Sequence, residues 1–328
     1  MFLVKSNCKT VNMASEEAVI ATNDDAAQCK RYAVEKGYWV DPYISLMISK
    51  GTAHHAPEIN RGYYARITSI RILLEKFIKL TNRKCQVVNL GAGYDTTFWK
   101  LKDAHLMPEK FVEVDFAPVT SRKCHHIKSK RPLLEKITNE DEDIMLSKSD
   151  LHSANYHIVG ANLVDLAELD KKLQQSGIDR SIPTVFISEC VLVYIEANKS
   201  AKLIKWISDN FPTAFFINYE QVNMGDRFGQ VMIDNLKTRD CYLYGVSACD
   251  SLQSQMQRFT SNGWRDADAL EMNKVYNCLP QSEIKRIEKL ELMDERELME
   301  QLFSHYCLVW AYKDVNNIGL EEIDLSQS

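Results

Sequence analysis

From residue 86 onward the chain alternates short apolar runs with stretches whose apolar residues recur every three or four positions. Gln86–Leu90, Lys110–Asp115, Tyr156–Leu163, Pro183–Glu189 and Ala214–Glu220 read as strands. Pro118–Lys128, Leu166–Leu173 and Ala197–Phe211 read as helices between them. Strand, helix, strand in this rhythm predicts a parallel sheet with helices on both faces. Ahead of it, Ala26–Val34 and Ile59–Leu80 carry helical spacing, the second with Ile67, Ile70, Leu73, Leu74, Phe77 and Leu80 as its buried stripe. The predicted organisation is a mobile segment over 1–22 and a single domain over 23–328, with a helical cover over 23–82. After Glu220 the rhythm breaks. Residues 221–280 are polar and without a convincing strand, which predicts an inserted helical lid. Strand character is expected again over Glu283–Met293 and His305–Tyr312, with a helix over Arg296–Leu302 between them, and Asn139–Asp143 is expected to be an acidic loop.

Composition narrows the function classes. The 328 residues carry a formal charge of −5, which disfavours a general nucleic-acid surface. Nine cysteines without a Cys-x-x-Cys point to a reducing, cytoplasmic setting rather than to a disulfide framework or a zinc site. No apolar run reaches the ~20 residues that span a bilayer, and the apolar start is broken at Lys5, short of a signal-peptide core. The adjacent pairs His54-His55 and His125-His126 diverge on a helix, so no metal is expected there. Cys190 has no neighbouring histidine and reads as packing, and Arg122–Arg131 reads as a wet helix face and loop.

The chemistry gathers at the carboxyl ends of the strands, where open α/β sheets bind ligands. The first strand runs into Gly91-Ala92-Gly93-Tyr94-Asp95-Thr96, and Asp115 ends the second strand 24 positions beyond Gly91, a spacing that suits a ribose-binding carboxylate. The third glycine of Gly-x-Gly-x-x-Gly is absent, with Thr96 in its place. Asp95 would repel a pyrophosphate. That disfavours a nicotinamide dehydrogenase and suits a donor with a ribose, an adenine and a positive centre, such as S-adenosylmethionine. On this stretch alone a plain structural turn is equally open. Glu113, Asn162, Glu189, Tyr219 and Glu220 also stand near strand ends, where each singly could cap a helix. Glu189, between Phe186-Ile187 and Val191-Leu192-Val193, needs a partner for its charge. Lys30 and Arg66 could supply cations, though their plain reading is a solvated helix face.

Five stretches carry a closer likeness: Asn60–Arg66, Val88–Trp99, Glu113–Phe116, Glu189–Tyr194 and Asn218–Gly229. Together they resemble the leucine carboxyl methyltransferase family that acts on protein phosphatase 2A, and the likeness runs from about Asp24 to the C-terminus. The resemblance implies a class I S-adenosylmethionine-dependent fold, with a Rossmann-like, seven-stranded, mostly parallel sheet whose last strand is antiparallel, and helices added as a lid. It implies esterification of the C-terminal leucine α-carboxylate of the phosphatase catalytic subunit, a modification regulating phosphatase assembly. Lys30, Arg66, Gly91, Gly93, Asp115, Asn162, Leu163 and Glu189 would then bind the donor: Asp115 at the ribose, Asn162 and Leu163 beside the adenine, Arg66 and Lys30 at the methionine carboxylate. Arg66 and Tyr194 would aim the acceptor. The family pattern leads one to expect Asp at 162, and Asn there keeps an acceptor without the charge. The expected partner is the phosphatase tail, bound by a monomer, with no nucleic acid, membrane or metal. A methyltransferase of a small carboxylate or a tRNA base, and an inactive relative that only holds the tail, are the alternatives.

Overall fold

The computed structural model describes residues 7–138 and 144–326, so the acidic stretch 139–143 lies outside the described residues. Helices α1 (Asn7–Glu35), α2 (Ile44–Met47) and α3 (Pro57–Leu80) precede the sheet. The alternating half follows: β1 (Gln86–Leu90), α4 (Thr97–Asp103), β2 (Lys110–Asp115), α5 (Ala117–Ser129), α6 (Arg131–Leu134), a hairpin β3 (Met145–Leu146) and β4 (Leu151–His152), β5 (Tyr156–Gly160), α7 (Leu166–Gln175), β6 (Thr184–Glu189), α8 (Ala197–Asn210) and β7 (Thr213–Gln221). The last part holds α9 (Arg227–Lys237), α10 (Leu252–Thr260), β8 (Asp266–Glu271), α11 (Met272–Cys278), α12 (Gln281–Ile287), α13 (Arg296–Ser304) and β9 (Tyr306–Asp314).

Among the described residues the sheet has nine strands in the order β3-β4-β5-β2-β1-β6-β7-β9-β8. Five parallel strands, β5, β2, β1, β6 and β7, form its centre, and β9 joins β7 antiparallel. The expected seven strands are those from β5 to β8, and the hairpin β3–β4 adds two more at the β5 edge. Strand alternation divides the core. Val87, Val185, Ile187, Phe215, Ile217, Leu308 and Trp310 face the layer of α3, while Val88, Leu90, Phe186, Phe216 and Val309 face that of α7, α8 and α10. Apolar side chains on both faces explain why the central strands read as nearly unbroken apolar runs.

Three expectations are corrected. No break falls at residue 22, because one 29-residue helix runs through it. The stretch 221–280 is not wholly an insert: β8 lies within it and pairs with β9. Asp266 and Asp268 of β8 are exposed and Ala267 is buried against Phe259 and Trp264, so small and acidic residues of low strand propensity are held there by packing. Charges on such an edge also blunt unwanted pairing. Residues 283–293 form no strand. Ile284 and Ile287, three apart, are the buried side of α12, and the turn after it is fixed by buried Arg61, which donates to the Glu288 and Glu291 carbonyls at 3.4 and 3.2 Å.

Candidate active site

The order of the parallel strands reverses between β1 and β6, the point where an α/β sheet opens a crevice. Leu90 pairs with Ser188, so the glycine turn after β1 and Glu189 leave the sheet side by side. Asp115 at the end of β2 is the next strand over and pairs with Gly160. A cavity of about 540 Å³ opens there, within the range of roughly 300–1,000 Å³ common for small-molecule sites.

The turn is built for close approach. Gly91 and Gly93 have φ of 65° and 50°, a region costly for other residues. A Cβ at 91 would come within 2.5 Å of Val191 Cγ2. Gly93 N–H donates to Asp115 Oδ2 and Phe116 N–H to Oδ1, each at 2.7 Å. Burial raises the Asp115 carboxyl, and these two donors oppose that rise. Asp95 is among the residues lining the cavity. Its carboxylate accepts from Thr97 N–H at 2.8 Å and from the Thr97 hydroxyl at 3.1 Å, just ahead of α4.

Beside the turn, Glu189 meets two cations. Arg66 Nε donates to Glu189 Oε2 at 2.7 Å, and Lys30 Nζ lies 3.3 Å from the same oxygen. Neither cation therefore stands alone on a wet helix face. Burial works to raise the Glu189 carboxyl, but Lys30 and Arg66 overcome it and hold it well below the usual range. The Arg66 guanidinium also lies 4.7 Å from the Tyr219 ring centre and 5.5 Å from that of Tyr63. Two cations against one carboxylate leave the cluster one positive charge in excess, in a place that favours a further anion.

The nine residues assigned to donor and acceptor, namely Lys30, Arg66, Gly91, Gly93, Asp115, Asn162, Leu163, Glu189 and Tyr194, line this one cavity, whereas Tyr219 does not. Asn162 holds the turn after β5, its Oδ1 accepting from Val164 N–H at 3.1 Å. Glu113 and Glu220 stand away from the cavity. Glu113 is buried with Lys123 at 2.5 Å, so the reading of Lys123 as solvated is corrected. Other lining residues escaped the sequence reading: Thr22, Asn23, Tyr63, Gln221 and Tyr306. Asn23 was legible in principle, since Asn is a poor residue for a helix interior. Its Oδ1 accepts from Tyr94 N–H at 2.8 Å and ties α1 to the glycine turn. Glu16, Val19, Ile20 and Thr22, expected in a mobile segment, form the cavity wall. From the expected lid, only Gln221, Leu236, Arg239 and Tyr244 reach it.

Residues 18–208 match the sequence pattern described as leucine carboxyl methyltransferase. The chain belongs to that family. Leucine carboxyl methyltransferase 1 of Bos taurus is 48% identical over 321 residues, covering 97% of this chain and 96% of the relative. The Rattus norvegicus protein of the same name is 48% identical over 322 residues, with the same shares covered. The tRNA wybutosine-synthesizing protein 4 of Homo sapiens is 35% identical over 302 residues, which is 90% of this chain but 44% of that protein. Among solved structures, one from Thermobifida fusca YX with a methyltransferase assignment superposes with a TM-score of 0.50 at 12% identity, covering 82% of this chain and 92% of that one, a likeness of fold. Membership makes the chain an enzyme of carboxyl methylation.

Proposed function

We propose that the chain binds S-adenosylmethionine in this crevice and esterifies the α-carboxylate of the C-terminal leucine of protein phosphatase 2A catalytic subunits. The observation that carries the reading is the single cavity shared by the glycine turn, Asp115 and the Lys30–Arg66–Glu189 cluster. The residues present fit such a donor. Each Asp115 oxygen accepts one backbone N–H, and a carboxylate can take about four hydrogen bonds, so acceptor capacity remains for ribose hydroxyls. The excess cation suits the carboxylate of an amino-acid moiety, and Glu189 suits its ammonium. Asn162 and Leu163, which line the same cavity, are the residues assigned to the adenine. The donor, when bound, supplies an electrophilic methyl group.

The acceptor is a carboxylate whose ordinary pKa is roughly 3.3–3.7, so it is ionised at neutral pH and no base is required. What the protein must do is orient and enclose. Arg66, fixed between Tyr63, Tyr219 and Glu189, and Tyr194, which lines the same cavity, are the groups assigned to aiming the acceptor. Exclusion of water by α1 and by the aromatic wall would favour a step in which opposite charges cancel. The test is transfer of labelled methyl to the phosphatase catalytic subunit, to the same subunit lacking its terminal leucine, and to tRNA. Base-labile label on the intact subunit alone is expected. Equal label on the truncated subunit would overturn the leucine, and label on tRNA instead would favour the second reading, which the similarity to the wybutosine-synthesizing relatives supports and the charge of −5 opposes.

A further inference from the structure

Between Glu189 and α8 the chain crosses the crevice as a short turn. Its first residue, Cys190, has a φ of 55°, a left-handed conformation that a non-glycine residue holds only when its surroundings enforce it. Val191 and Tyr194 of this turn line the cavity, and Val191 is the side chain packed on Gly91. The peptide groups of Val193, at the centre, are held from both sides. Its N–H donates to Glu220 Oε2 at 2.9 Å. Its carbonyl accepts from Gly245 N–H at 2.8 Å.

Both partners are unusual for residues outside the cavity. Glu220, the last residue but one of β7, has no solvent exposure. Arg258 of α10 lies 3.9 Å from it, and its second oxygen has no hydrogen-bond partner among the described residues. Burial pushes its carboxyl up to about 7, with Arg258 opposing. The bond to Val193 needs only an oxygen, which either protonation state offers. Gly245 packs so closely that a Cβ there would lie 2.5 Å from the Ile195 carbonyl oxygen and 2.7 Å from that of Leu192. Backbone cannot yield as a side-chain tip does. A small apolar core joins the same pieces: Val193 with Met224, Leu243 and Cys249, and Tyr194 against it.

We infer that Glu220 and Gly245 are positioning residues for the donor site, a clamp on the Val193 peptide that sets where Val191 and Tyr194 stand. The segment 222–250 is then a buttress for the wall of the crevice as well as its cover. This rests on the reading of the cavity as the S-adenosylmethionine site.

The experiment is calorimetric titration of the full chain with S-adenosylhomocysteine, alongside thermal unfolding, for wild type, Glu220→Gln, Glu220→Asp and Gly245→Ala. Glu220→Gln keeps an oxygen at the same reach and is expected to stay within about threefold of wild type in Kd. Glu220→Asp keeps the charge but withdraws the oxygen by about 1.5 Å, so its Kd should rise about tenfold, the scale of one net hydrogen bond. Gly245→Ala, which pushes the same turn from the other side without touching any charge, should weaken binding by a similar factor. All three are read well below their unfolding temperatures. A purely structural role would lower the melting temperature and leave Kd unmoved. Folded Glu220→Asp and Gly245→Ala proteins that bind as wild type would overturn the clamp, as would a Glu220→Gln loss equal to that of Glu220→Asp. A wild-type protein that binds no S-adenosylhomocysteine would sink the donor reading itself and this inference with it.

Discussion

Two carboxylates, Glu113 and Glu189, lie on either side of the glycine turn, each inside the protein and each against a cation, yet they serve different ends. Glu113 and Lys123 are 2.5 Å apart, both 1% exposed, and charge is matched one to one. Lys123 donates its remaining reach inward, to the Asp95 carbonyl at 2.7 Å. Glu189 faces a cavity, with side-chain exposures of 11–15% across the cluster, and has two cations for its one charge. A closed, neutral pair can only hold β2, α5 and the turn together. An open cluster with charge in excess can exchange a partner for a ligand. Burial alone does not separate structure from site; the unmatched charge and the access of solvent do.

That contrast can be broken from either side. The largest effect is expected for Lys123→Met, which strands Glu113 and should cost about 3–5 kcal/mol of stability, measured by chemical denaturation. The Glu113 carboxyl, pushed up to about 7 by burial, takes a proton in that variant and limits the loss. Adding Glu113→Leu should recover most of it, because a matched apolar pair replaces a matched ionic one. A double variant no more stable than the single one would mean that the pair does more than fill space.

Arg66→Ala should behave in the opposite way. Glu189 keeps Lys30 as a partner, so thermal unfolding should shift little, while methyl transfer falls about a hundredfold, the scale for losing one oriented charged donor at a reacting centre. A well-folded Arg66→Ala protein with unaltered turnover would remove Arg66 from the aiming role.

The smallest effect sharpens the comparison by pH. The Glu189 carboxyl is depressed in the fold from an ordinary 4.5. Its stabilising share is therefore at full strength above pH 4.5 and fades as the pH falls through the depressed value. The difference in melting temperature between wild type and Glu189→Gln should stay constant from neutral pH down to about 4.5 and narrow as the pH falls further towards the depressed value. A difference that widens on acidification would contradict the pairing with Lys30 and Arg66.

Much of the fold was legible where periodicity and burial agree. The strands from Gln86 to Glu220 are apolar on both faces, and the polar residues that end them converge by topology rather than by any local signal. What was lost was lost to packing. Ala267 and Ala269 make a strand because β9 and Trp264 await them, although their own preference is weak. Lys123 was read as wet although it stands four residues after Val119 and four before Ile127, in the buried stripe of α5. A charge in that position was a signal for a buried partner. The long α1 was missed because Asn23-Asp24-Asp25 imitates the start of a helix, whereas Asn23 in the interior serves the glycine turn instead.

The pairing of Leu90 with Ser188 has one more consequence. Side chains on a strand change faces at every step, so deleting or inserting a single residue within β6 would turn Glu189 out of the crevice and bring Cys190, after a deletion, or Ser188, after an insertion, to its place. Point changes along that strand alter one contact each. A shift of the reading by one place would dismantle the charged half of the site at a stroke.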